Sequence, residues 1–94
     1  MPNTFRFEIL TPEKVFYSST ITSLVAPGME GYFGVLAHHA PLVARSNGGQ
    51  LKVREEASGQ ERFFLVGPGI FEVLKNRSVF LTKQAETASG EKAE

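Results

Sequence analysis

The 94 residues make one small domain, because a chain of this size buries only about 60 to 65% of its unfolded surface and supports a single core. Ten basic and ten acidic residues cancel without either sign clustering, so the chain lacks the electrostatic source of nucleic-acid binding. The absence of cysteine excludes disulfides, thiolate metal sites and cysteine nucleophiles, and 41% hydrophobic with 21% charged residues is a globular composition.

The amino end "MPNTFRFEIL" has no charged head followed by an apolar run, and no apolar stretch approaches the ~18 residues that span a bilayer. The chain is therefore expected to be soluble and to meet a membrane only through a partner. In "FRFEIL", Phe5, Phe7 and Ile9 alternate with Arg6 and Glu8, the pattern of a half-buried strand that ends at Thr11-Pro12. "VFYS" and "ITSLVAP" give two further short runs, the second stopped at Pro27-Gly28, and "PLVARS" leads into the turn residues Asn47-Gly48-Gly49. "QLKVREEASGQERFFLV" reads as a β-hairpin with its tip at Ala57-Ser58-Gly59-Gln60, and "IFEVL" with "VFLT" as another, joined by Lys75-Asn76-Arg77-Ser78. Gly67-Pro68-Gly69 separates the two hairpins and predicts a bend or bulge, because proline brings no N–H to a sheet ladder. After Thr82 the apolar pattern fades into at most one weak edge strand and a polar end. No helical spacing persists for more than about a turn. The expected fold is all-β, a β-sandwich of about ten short strands in two sheets with no C-terminal helical domain; residues 1–87 form the domain and 88–94 a disordered polar tail.

The stretch "EGYFGVLAHHAPLVA", residues 30–44, carries the candidate site. His38 and His39 would point to opposite faces of an extended segment, and no HxH or HxxxH spacing is present, so they do not meet at one metal. One buried histidine held by backbone hydrogen bonds beside one exposed histidine is favoured over a general base partnered by Glu30. Phosphate cradling by "GMEGYFG" would need a helix directly after it, and "VLAHHAP" offers none. Tyr32 and Phe33, beside glycines, suit either a protein interface or anchoring of the loop in the core. No catalytic constellation, metal site or cofactor site is expected.

Glu30, Gly31, Gly34, Val35, His39, Ala40, Pro41 and Leu42 together resemble the loop pattern of the ATP synthase epsilon subunit: a Glu-Gly pair, Gly-Val, a spacer and His-Ala-Pro-Leu. "FRFEILTPEKVFYSSTITSLVAPG" and "FFLVGPGIFEVLKNRSVFL" are similar to further segments of that family in the same order, so the resemblance spans about residues 5–87. It implies a non-catalytic central-stalk subunit that binds the gamma subunit and the c-ring, in a complex whose alpha and beta subunits carry the ATP sites, and that couples proton translocation to ATP synthesis. It further implies a peripheral position on the cytoplasmic face of a bacterial inner membrane or an equivalent energy-coupling membrane, held there through the complex. His39, Ala40, Pro41 and Leu42 are the implied gamma contacts, with His39 expected to be partly buried; Met29, Glu30, Gly31 and Tyr32 are the implied c-ring contacts. The family commonly continues into a helical hairpin that can inhibit ATP hydrolysis, and the polar "KQAETASGEKAE" is too weakly patterned to form one. A stand-alone carbohydrate- or peptide-binding β-sandwich is the alternative.

Overall fold

The computed structural model describes residues 3–88, which form nine strands: β1 (Phe5–Leu10), β2 (Val15–Gly28), β3 (Gly31–Leu36), β4 (Leu42–Ser46), β5 (Gly49–Glu55), β6 (Glu61–Val66), β7 (Gly69–Leu74), β8 (Arg77–Thr82) and β9 (Ala85–Ala88). No helix occurs among the described residues. The two runs read separately in the sequence are one 14-residue strand, β2, and its two halves serve different sheets. Residues 15–21 pair with β1, which continues through β8 and β7 to β4. Residues 21–28 pair with β3 on one side and β5 on the other, and β6 and β9 follow. The result is two five-stranded layers that share β2, nine strands in all, in agreement with the expected β-sandwich of about ten short strands in two sheets. All pairings are antiparallel except β1 with β8.

The crossing point is visible in the chemistry of β2. Ile21, Leu24 and Ala26 are buried, with an interval of three and then two residues, and the register with β5 shifts between Ile21 and Ser23. A β-bulge at this point bends the strand and lets it turn from one layer into the other. Pro27, which has no N–H, lies beyond Val25, the last residue in register with β5, and faces Tyr32 of β3.

Alternation then fills the space between the layers. Phe5, Phe7 and Ile9 of β1, Phe71 and Val73 of β7 and Phe80 of β8 face Leu51 and Val53 of β5, Phe64 and Val66 of β6 and Val35 of β3. Phe33 of β3 meets Phe71 of β7 at 5.4 Å between ring centroids, and Phe64 of β6 receives Phe16 and Tyr17 of β2 at 6.1 and 4.6 Å. Such tilted and edge-on pairs suit the ring quadrupoles. At the bend before β7 only glycine fits: a Cβ on Gly69 would lie 2.0 Å from the Leu81 carbonyl oxygen. Ala88, at the start of the expected tail, pairs with Phe63, and residues 89–94 lie outside the described residues.

Two buried positions give opposite expectations. Phe71→Ala removes a fully buried ring that joins both layers and should cost about 3–5 kcal/mol in chemical denaturation. Ser78 is also buried, and its hydroxyl has no hydrogen-bond partner among the described residues, so Ser78→Ala should leave stability unchanged or raise it. A Phe71→Ala loss under about 1 kcal/mol, or a Ser78→Ala loss of more than that, would contradict this packing.

Candidate functional site

The segment singled out in the sequence is not one loop. Gly28 pairs with Gly31, leaving Met29-Glu30 as a two-residue turn between β2 and β3, and Gly31 takes φ 124°, a backbone state that side chains disfavour. Tyr32 and Phe33 then sit in β3 on opposite faces. Phe33 turns inward against Phe71, whereas Tyr32 is 61% exposed, so the aromatic that anchors this edge in the core is Phe33. Met29 is 52% exposed, and Glu30 and Gly31 are exposed with it. Met29, Glu30, Gly31 and Tyr32 therefore form one projecting tip, beside a shallow groove completed by Ala44 and Arg45 of β4.

The six residues of β3 carry the chain away from this tip by about 17 Å. At the far end Leu36, His38, His39, Ala40 and Pro41 are all exposed. The amide of His39 donates to the Leu36 carbonyl at 3.3 Å, closing a turn in which His38 takes φ 66°. The expectation that one histidine is buried, and His39 partly so, is corrected: both are exposed because the chain leaves the sheet at Leu36 and passes over the end of the domain. His39 Nδ1 lies 2.7 Å from the Ala40 carbonyl oxygen, a local hydrogen bond that orients the ring. Glu30 lies at the opposite end of β3, so the pairing that a general base would require is not formed. Among the described residues no three His, Asp or Glu side chains assemble in a metal-binding cluster.

Leu42 differs from its three predecessors. It is partly buried and packs against the core, while Val43 beside it is 71% exposed. The strand alternation of β4 faces Leu42, Ala44 and Ser46 inward and Val43 and Arg45 outward. Val43, with Leu36 and Leu74 at 64% and 57% exposure, adds an apolar component to this end of the domain that the sequence reading missed. The signal was present in the phase of "PLVARS", once Leu42 is fixed as inward.

A second polar cluster lies at the β5–β6 hairpin. The Tyr17 hydroxyl donates to Glu55 Oε2 at 2.7 Å, the same oxygen accepts from Arg62 Nη1 at 3.1 Å, and the Ser58 hydroxyl donates to Glu55 Oε1 at 3.3 Å. The Arg62 guanidinium lies 5.8 Å from the Tyr17 ring centroid and 5.8 Å from that of Phe64. Burial, reinforced by the bond to Glu55, pushes the Tyr17 hydroxyl from its ordinary value of 10.0 up to about 12. This cluster braces the hairpin against β2.

These features define a class: a two-layer β-sandwich whose distinguishing residues project from one edge, at the two ends of a single strand. The chain belongs to the ATP synthase epsilon family. The family described as "ATP synthase, Delta/Epsilon chain, beta-sandwich domain" matches residues 4–88. The chain is 39% identical over 80 residues to the ATP synthase epsilon chain of Chlorobaculum tepidum, a match covering 85% of this chain and 90% of that one. It is 42% identical over 90 residues to the epsilon chain of Desulforamulus reducens, covering 94% of this chain and 65% of that one. In fold it is similar to a chain in the Euglena gracilis mitochondrial ATP synthase OSCP/F1/c-ring structure, with a TM-score of 0.83 at 20% identity, covering 93% of this chain and 55% of that chain. It is similar also to a chain of the Tetrahymena thermophila mitochondrial ATP synthase central stalk/c-ring structure, with a TM-score of 0.70 at 19% identity over 86% of this chain and 64% of that one.

The Tyr17 cluster gives a pH expectation. A raised hydroxyl pKa means that the folded state holds its proton more tightly than the unfolded state, so this contribution to stability is complete below pH 10 and is lost as the pH rises toward about 12. The chain has two tyrosines. In a Tyr32→Phe background, absorbance titration of the remaining tyrosine should give a midpoint near 12; a midpoint near 10 would show that the network is not formed.

Proposed function

We propose that this chain is the non-catalytic epsilon subunit of the central stalk of an F-type ATP synthase, coupling proton translocation to ATP synthesis carried out on the alpha and beta subunits. In this reading the end of the domain built by His39, Ala40, Pro41 and Leu42, extended by Val43, binds the gamma subunit. The tip formed by Met29, Glu30, Gly31 and Tyr32 meets the c-ring. The chain is held at the cytoplasmic face of a bacterial inner membrane, or an equivalent energy-coupling membrane, through the complex; among the described residues no helix is long and apolar enough to cross a membrane.

The observation that carries this reading is the separation of the two patches by one short strand. A subunit that transmits torque must touch two partners at once and hold them at a fixed distance, and an edge strand about 17 Å long, paired along its length with β2 and anchored in the core by Phe33 and Val35, is a spacer of that kind. The patches also differ in chemistry. One is a narrow tip with a charge, a thioether and an aromatic ring, suited to polar loops. The other combines Val43, Leu36 and Leu74 with exposed backbone and imidazole, and interfaces place most of their affinity in such apolar centres. The two fold neighbours, described as an F1/c-ring and a central stalk/c-ring assembly, are in keeping with this reading.

Substitution at neighbouring positions separates binding from folding. Val43→Asp places a charge at an exposed site and should weaken binding to the cognate gamma subunit by about tenfold or more while the thermal midpoint is retained. Leu42→Asp puts the charge against the core and should lower the thermal midpoint first. Undiminished gamma binding by folded Val43→Asp would contradict the assignment. At the other end, cysteine at position 32 should crosslink to a c-subunit loop in the intact enzyme, and failure at 29, 30 and 32 alike would remove the c-ring assignment.

A further inference from the structure

The loop proposed to meet gamma is held by a residue that is not part of it. β7 and β8 are joined through Lys75 and Asn76, with Leu74 opposite Arg77, and both turn residues have positive φ, 52° and 61°. This is the pattern of a type I′ turn, whose second position most favours glycine. Asn76 occupies that position instead, and its carboxamide bridges two distant segments. Its Oδ1 accepts from the backbone amide of His38 at 2.7 Å, and its Nδ2 donates to the Thr4 carbonyl at 2.9 Å. Those partners are 38 and 72 positions away in the chain.

His38 is itself in an unfavourable backbone state. In the turn closed from His39 to Leu36, His38 is the third residue and takes φ 66°, where glycine is again preferred and a side chain is strained. A conformation of this kind persists only when its surroundings hold it. Among the described residues the external polar contact on the His38 amide is Asn76 Oδ1. The direction in which the chain leaves this turn sets where His39, Ala40, Pro41 and Val43 stand.

We propose that Asn76 is the positioning residue of the gamma-facing end: its carbonyl oxygen fixes His38 in the left-handed state and so presents His39 to Val43 in the binding geometry. This rests on the reading of that end as the gamma contact. Asn76 itself need not touch gamma.

Two variants, Asn76→Gly and Asn76→Asp, separate positioning from general stabilisation, because glycine and aspartate both tolerate the left-handed state. Glycine removes both hydrogen bonds. Aspartate keeps an acceptor for the His38 amide but loses the donor to Thr4. The full chain and each variant are titrated with the cognate gamma subunit, alongside thermal midpoints and the hydrogen-exchange rate of the His38 amide; Val43→Asp is measured in parallel. Asn76→Gly should bind about tenfold more weakly and accelerate His38 exchange, the loss expected of one ordinary hydrogen bond. Asn76→Asp should recover both affinity and slow His38 exchange even though its thermal midpoint stays below the parent's. Affinity that follows the thermal midpoint across the variants, or Asn76→Gly binding as tightly as the parent while Val43→Asp does not, overturns the inference and leaves the gamma reading intact. Unchanged binding in both Asn76→Gly and Val43→Asp overturns the two together.

Discussion

The architecture depends on one strand belonging to both layers. β2 cannot continue straight past Ile21 because the next inward residue is Leu24 rather than Ser23, and the extra residue rotates the strand into the second layer. Everything at the candidate edge hangs on that turn. β3 pairs with the second half of β2 alone, from Ser23 to Gly28, so the position of β3 is set by the bend. The tip at Met29-Glu30 and the turn at Ala37-His38 are the two ends of β3 and inherit its placement. Phe33 against Phe71 then ties this edge strand to the opposite layer. The contact falls where it is most needed, at the tip end, because past Val25 the strands β2 and β3 pair with each other beyond the register with β5.

Much of this was legible in the sequence because alternation on a half-buried strand is a strong signal. Phe5, Phe7 and Ile9 announced β1, and Leu51 with Val53 announced β5; the hairpin tip at Ala57 to Gln60 followed from its turn residues. The bend at Gly67-Pro68-Gly69 was also legible, since proline has no place in a continuous ladder. The sequence of β2 suggests two strands because Ser18-Ser19-Thr20 interrupts its apolar residues, and nothing local reveals that the backbone runs on through them. A shared strand is defined by its partners, and the partners are remote: Ser23 meets both Leu36 and Arg54.

The two candidate segments stand out in the sequence, but their placement relative to each other does not. The sequence brought out Met29 to Tyr32 and His39 to Leu42 as two segments, but it could not say that they stand apart at opposite ends of a strand. Opposite faces of an extended segment predict one buried histidine, and both are exposed instead because His38 sits in a turn beyond the end of β3 and the chain there passes over the end of the domain. Leu42 and Val43 show the same limit. Both are apolar, and only the pairing of β4 with β7 decides which of them faces solvent. Asn76 was visible only as a turn residue, since its two hydrogen bonds join segments that no local pattern connects.

The central claim is that one stiff strand holds two separate partner surfaces. The most direct measurement is hydrogen–deuterium exchange of the full chain, free and assembled with gamma subunit and c-ring. The account predicts added protection at residues 28–32 and at residues 37–43, with the β5–β6 tip at residues 56–60 exchanging as it does in the free chain. Protection confined to one of the two segments, or strongest at the β5–β6 tip, would contradict it.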